Sequence, residues 1–376
     1  MKMSENQFYP DYAILPGEIL EFELDSLEMS QKDLSDKTGI SKKHINHIIA
    51  GKAPITPETA ILLERVLGKP ARYWLNLEAL YQEAVARIAD KEKLERYAEW
   101  AKQFPNSMLQ KLGFIEKHNE ITKKVDSLLR FFAIGSPDDY QTVWGNLQVQ
   151  YRQDNRTKNC PYSSAAWLRA GEIEANKIHC QPYSEKEFKQ ALSEIRTLTR
   201  TTDPKIFIPK LKEICSSVGV AIVFVPCFPN TGISGATRWL SSDKAVIQLS
   251  LRYKTNDHLW FTFFHEAAHI LLHGKKRIYL EFDGPNNNVE EENEANEFAQ
   301  KQLIPRSVWG RLITQDQFTE NIIKSIAEEI GIAEGIIVGQ LQHHKHLAFI
   351  TPNHLKVRHP WKKAQLPPLG AVFFKL

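Results

Sequence analysis

The chain has 376 residues, 42% of them hydrophobic and 25% charged, with a formal net charge of +3; that suits two or three domains with ordinary cores and is too weakly basic for a general nucleic-acid coat protein. No apolar run reaches the ~20 residues needed to cross a bilayer, and the opening MKMSENQFYPDY lacks the apolar stretch of a secretory signal. Cys160, Cys180, Cys215 and Cys227 form no CxxC pair, so neither a zinc knuckle nor a disulfide framework is expected, and scattered thiols fit the cytoplasm.

Residues 1–82 are expected to form an all-α domain. Within it, MSQKDLSDKTGISKKHINHIIAGK (29–52) has the pattern of two short helices around a tight turn. Ser30 is positioned to cap the first helix, with Asp33 as an imperfect capping-box acid, and Leu34 faces inward. Gly39 supplies the permissive backbone at the turn. Ser41 caps the second helix, whose inner face is Ile45, Ile48 and Ile49 and which Gly51 ends. Its outer face offers Lys42, Lys43, His44, Asn46 and His47. A recognition helix sets such residues in the major groove, where lysine suits phosphate or guanine and asparagine can read adenine. Gln31, Ser41 and Lys52 complete the expected DNA-contacting set. Five lysines against two aspartates give residues 31–52 a net charge of +3, while the flanks are acidic, so the positive charge is concentrated where docking needs it.

Residues 83–202 read as a helical connecting region. LEALYQEAVARIADKEKLERYAEWAKQF has apolar and aromatic residues at helical spacing with charges between them, and Pro105, GSPDD (135–139) and TTDP (201–204) interrupt the helical pattern further along. The texture then changes. Residues 221–225, 234–239 and 244–250 read as strands of one small sheet, with SSDK as a turn. A helix is expected over 257–273, stopped by Gly274, and another over 290–303, ending before Pro305. Helices return near 320–345, and LAFI (347–350) is a short strand-like run. The fold class expected is α+β, with residues 203–376 as a third domain built on a small sheet and an HExxH helix.

FTFFHEAAHILLHG (261–274) carries the chemistry. His265 and His269 lie four apart, which on a helix puts both imidazoles on one face where they can share an ion. Zinc accepts imidazole nitrogen at about 2.0–2.1 Å. Glu266 is offset from that pair and suits a general base. Leu272 and Lys275 stand where the HExxHxxGxxH pattern needs Gly and His, so a third histidine at that spacing is excluded. His273 is read as a partner of the helix C-terminal dipole. EENEANEFAQKQLIP (291–305) offers an acidic ligand instead: Glu292 and Asn296 share a face, so Glu292 can bind metal while Asn296 orients a ligand histidine through its other ring nitrogen. Glu294 is the rival ligand. Tyr253, Tyr279, Arg238 and His258 are nearby choices for an oxyanion-stabilising group, with none singled out.

HEAAHILLHG followed by EENEANEFAQKQLIP resembles the ImmA/IrrE family of zinc metallopeptidases, over about residues 168–345. The resemblance implies a zincin-like, gluzincin-type domain with His265, His269 and Glu292 as zinc ligands and Glu266 as the base, acting on a regulatory protein such as a helix-turn-helix repressor. Residues 15–82, including ITPETA and YWLNL, resemble the antidotes of HigA-type addiction modules. That resemblance implies a homodimer on double-stranded operator DNA with an inverted repeat, and a toxin partner. The expectation is a cytoplasmic regulator fused to a metalloendopeptidase, with no membrane role; the alternative is a HigA-like antitoxin and repressor whose zinc is structural or sensory.

Overall fold

A computed structural model describes residues 12–152, 160–250, 252, 254–275, 279–282, 289–348 and 353–359, with the backbone alone at 145–152 and 279–282. The chain divides into two compact units, 1–98 and 99–376. Among the described residues no helix is long and apolar enough to cross a membrane.

The first unit is α1 (Pro16–Ser26), α2 (Gln31–Thr38), α3 (Lys42–Ile49), α4 (Pro57–Leu67) and α5 (Ala71–Arg96). The start of α2 is fixed locally. Ser30 Oγ accepts from the Asp33 amide at 3.1 Å while the Asp33 carboxylate accepts from the Ser30 amide at 3.0 Å, so aspartate completes the capping box despite its shorter side chain. The Ser30 hydroxyl, which donates to the Asp33 carboxylate at 2.6 Å, and then the Ser30 amide hold Asp33 below the usual carboxylate range. Gly39 ends α2 at φ 75°, a left-handed conformation that glycine adopts without Cβ strain. Ser41 Oγ then accepts from the His44 amide at 3.2 Å and starts α3. Leu20, Leu24, Leu34, Ile45, Ile48, Leu63 and Trp74 form the core. The tryptophan comes from the first turn of α5, so that helix belongs to this unit. It runs unbroken through residue 82, where the sequence reading set a domain edge.

α6 (Ala98–Lys102) starts at the last residue of the first unit, and the second unit continues with α7 (Asn106–Leu112), α8 (Ile121–Phe132) and α9 (Pro137–Arg152). Phe104, Phe132, Tyr140 and Tyr162 meet edge-on, tilted or stacked there, with centroids 5.0–5.8 Å apart. Next come α10 (Pro161–Asn176), α11 (Glu185–Thr197), α12 (Pro204–Ser217), β1 (Val220–Phe224), β2 (Ile233–Ser241), β3 (Lys244–Leu249), α13 (Asn256–Leu272), β4 (Tyr279–Phe282), α14 (Val289–Leu303), α15 (Arg306–Ile313), α16 (Glu320–Ile330) and α17 (Glu334–His343). The sheet order is β1-β3-β2-β4. β1 and β3 are parallel, and β2 is antiparallel to β3 and β4.

Period-two alternation assigns each strand's side chains to two helical layers. Ile222, Phe224, Ala245 and Ile247 join Trp260, Phe263, Phe264 and Ala267 of α13 in the main core. On the opposite face Ala221, Val223 and Val246 pack with Ala175 of α10. Arg238, on that second face, pairs with Glu172 at 3.2 Å and donates to the Leu168 carbonyl. The sheet is thus held between α13 on one side and α10 on the other.

Two details depart from the sequence reading. α13 ends at Leu272, followed by His273 in an extended conformation at φ −117°; Gly274 is not among the left-handed glycines. β4 was not expected, being a four-residue element at the edge. Part of LAFI, residues 349–350, lies outside the described residues.

Candidate metal centre

α13 is apolar on most of its surface, so its polar groups stand out. His265, Glu266 and His269 are 0–2% exposed. Leaving such groups buried is costly unless they are satisfied. α14 packs across α13 and brings Glu292 to both rings: its carboxylate is 3.2 Å from His265 Nε2 and 3.7 Å from His269 Nε2. The two Nε2 atoms are 3.1 Å apart. Among the described residues, these three side chains form the convergent group able to hold a metal ion.

Hydrogen bonding at the far side of each ring sets what faces the centre. His265 Nδ1 is 3.0 Å from Asn296 Oδ1; the amide oxygen accepts, so Nδ1 carries the proton and Nε2 keeps its lone pair. His269 Nδ1 is 2.8 Å from His273 Nδ1. Burial first, then the His265 and His273 rings, push His269 down to about 2, which holds it neutral. Two imidazole lone pairs and a carboxylate oxygen facing one another at these separations repel, and a cation between them removes the repulsion. Ligands about 2.1 Å from a tetrahedral ion stand about 3.4 Å apart, close to the spacings observed.

Glu292 therefore stands in the cluster, whereas Glu294 does not: its carboxylate is 3.1 Å from His273 Nε2. Helical rotation separates them, since Glu292 and Asn296 share a stripe and Glu294 is turned about 200° from Glu292. His273 was read as a dipole partner; its ring instead folds back against His269.

Glu266 follows His265 in sequence and has a different neighbour, Gly235 of β2. A Cβ at that position would lie 2.5 Å from Glu266 Oε1, 2.6 Å from Thr262 Cγ2 and 2.9 Å from Glu266 Cγ. The glycine thus makes the space in which the carboxylate sits. Thr237, two residues on, donates to the Glu266 carbonyl at 3.0 Å and ties the same strand to the same turn of α13. Neither residue was singled out in the sequence, because only strand pairing brings them to Glu266. Of the nearby choices for oxyanion stabilisation, Arg238 faces α10, on the other side of the sheet, and His258 is exposed in the first turn of α13, about 10 Å along the axis from His265. Tyr253 lies outside the described residues, as does the side chain of Tyr279.

In the first unit, Ser41, Lys42, Lys43, Asn46 and Lys52 are exposed and Gln31, His44 and His47 half-buried. The polar face of α3 opposes buried Ile45 and Ile48.

Comparison with known proteins finds one family match within each unit. Residues 22–74 match the helix-turn-helix family. The HTH-type transcriptional regulator YddM of Escherichia coli K12 is 34% identical over 82 residues, which are 22% of this chain and 87% of that protein. The chain belongs to the helix-turn-helix family. Virulence-associated protein I of Dichelobacter nodosus is 36% identical over 82 residues, 22% of this chain and 73% of that protein. A HigA-family addiction-module antidote protein from Coxiella burnetii, among solved structures, is 34% identical, covering 22% of this chain and 92% of its own at a TM-score of 0.21. Beyond the helix-turn-helix domain, residues 215–338 match the IrrE N-terminal-like domain. That span begins in α12 and contains the HExxH helix and α14.

Proposed function

We propose that this chain is a cytoplasmic zinc metallopeptidase joined to a DNA-binding regulator, hydrolysing peptide bonds in a regulatory partner protein. The observation that carries the reading is the convergence of His265, His269 and Glu292 beside a buried Glu266. Two imidazoles and one carboxylate are a donor set of catalytic zinc, whereas structural zinc usually takes four protein ligands. When bound, zinc supplies Lewis-acid polarisation of the scissile carbonyl and lowers the pKa of water. Glu266 takes the proton of the attacking water at its carboxylate and returns it to the leaving amine. Its place within one residue of a ligand gives it the reach, and its buried setting excludes bulk solvent.

Metal analysis of the purified chain tests this reading. We expect about one equivalent of zinc in the wild type and loss of it in His265→Ala; a wild-type chain that takes up no zinc sinks the proposal.

The first unit is proposed to bind double-stranded operator DNA as a homodimer reading an inverted repeat, with Gln31, Ser41, Lys42, Lys43, His44, Asn46, His47 and Lys52 at the contact. Exposed lysines on a helix whose other face is locked into the core support that role. Lys43→Glu is expected to weaken binding and lower the salt dependence by about one counterion per contact removed. A gel shift unchanged across salt concentrations is the contrary outcome.

A second reading has an observation of its own. The curated relatives match over 82 residues, the helix-turn-helix portion, and one of them is named a transcriptional regulator. On that reading the chain is an antitoxin-like repressor that neutralises a toxin, and its zinc is structural or sensory. It predicts zinc binding without hydrolysis.

A further inference from the structure

The two ligand histidines are supported differently. His265 is oriented by an amide, Asn296 of α14. His269 is backed by a second imidazole, which is itself backed by a carboxylate: His269 Nδ1 to His273 Nδ1 is 2.8 Å, and His273 Nε2 to Glu294 Oε2 is 3.1 Å. His273 is the residue at which α13 stops, yet its side chain is 4% exposed, while that of Glu294 is 55% exposed. A terminal histidine serving only the helix dipole would gain by facing water; this one is turned inward.

We propose that His273 and Glu294 act together as positioning residues that fix the ring of His269 and set how tightly the centre holds its metal, a proposal that rests on reading the centre as a zinc site. Proton placement along the chain allows one arrangement compatible with ligation. If His269 presents the Nε2 lone pair to the ion, its proton is on Nδ1. His273 Nδ1 must then accept, so the His273 proton is on Nε2, and that nitrogen donates to Glu294. Each bond orients the next, and the carboxylate at the end favours the donor role of His273 Nε2. Ligand histidines held in this way bind metal more tightly, and loss of the support costs roughly 10–100-fold in affinity.

α14 thereby supplies three parts of the centre: Glu292 as ligand, Asn296 behind one histidine and Glu294 behind the partner of the other. The direct contact between His269 and His273 also accounts for a further histidine, four residues beyond the HExxH pair, that metal ligation leaves unused.

Zinc competition against a chromophoric chelator, with the full chain, tests the proposal, alongside the visible spectrum of the cobalt(II)-substituted protein. His273→Ala is expected to weaken zinc roughly 10–100-fold and to shift the cobalt bands. His273→Asn sets an amide oxygen near the position of Nδ1 and is expected to restore most of that loss, which a merely structural role would not do. Glu294→Ala is expected to weaken zinc less than His273→Ala, and Glu294→Gln, which keeps an acceptor, to stay near wild type. Thermal unfolding of the metal-free variants identifies any that fail to fold, and His273→Asn then decides. Wild-type affinity and an unchanged cobalt spectrum in His273→Ala overturn the relay while leaving the zinc site intact. A wild-type chain that binds neither metal overturns both.

Discussion

Glu266→Gln is expected to keep the full complement of zinc and to lower peptide hydrolysis by roughly 10²–10⁴-fold, the range that a general base contributes. The substitution is isosteric, and the proposed ligands are other residues, so the cluster of His265, His269 and Glu292 is untouched. The bond from Thr237 is to the Glu266 carbonyl and survives as well. What disappears is the carboxylate that accepts a proton. Fragment analysis by mass spectrometry, on a protein mixture cleaved by the wild type, measures the change, with metal content measured on the same samples. Undiminished cleavage by a zinc-loaded Gln variant would refute the assigned role, and absence of cleavage by the zinc-loaded wild type would favour the regulator whose metal is structural.

Gly235→Ala is expected to approach the same loss of hydrolysis through a residue with no titratable group. The added methyl would meet Glu266 Oε1 at 2.5 Å and, behind it, Thr262 Cγ2 at 2.6 Å. A carboxylate tip can turn aside, but Glu266 is 0% exposed, and any turn moves it from the position in which it serves as base. Overpacking of this kind costs typically about 1–3 kcal/mol of stability, so the unit should remain folded. Zinc content close to wild type with strongly reduced cleavage is the expected pair of results; full activity would mean that the cradle does not set the carboxylate's position.

The sequence made some of this legible and hid the rest for identifiable reasons. The His265 and His269 pair could be read because helical geometry alone puts residues four apart on one face. The same local logic made Ser30, Gly39 and Ser41 readable, and the structure adds that Asp33 closes the capping box. The strands β1, β2 and β3 were recognisable from apolar runs or alternation. Glu292 and Glu294 could not be separated by residue type, since acidic residues cluster at many helix starts; the packing of α14 on α13 separates them. Gly235 and Thr237 reach Glu266 across about thirty positions, through strand register, and no local pattern announces that. β4 is too short, and His273 too near a helix end, for periodicity to speak. The continuity of α5 was open to reading, because Ala71–Arg96 contains neither Gly nor Pro; the domain edge drawn from sequence at residue 82 followed instead the end of the span that resembles the HigA-type antidotes.

The ion pair between Arg238 and Glu172 bears on Glu266 from behind the sheet. Its guanidinium also donates to the Leu168 carbonyl, so β2 is anchored to α10 three positions from Gly235. A strand clamped from the rear cannot step back when something crowds its front. The face that cradles Glu266 is therefore backed by a fixed wall, and the tolerance for error in the position of the proposed general base is set in a layer on the other side of the sheet.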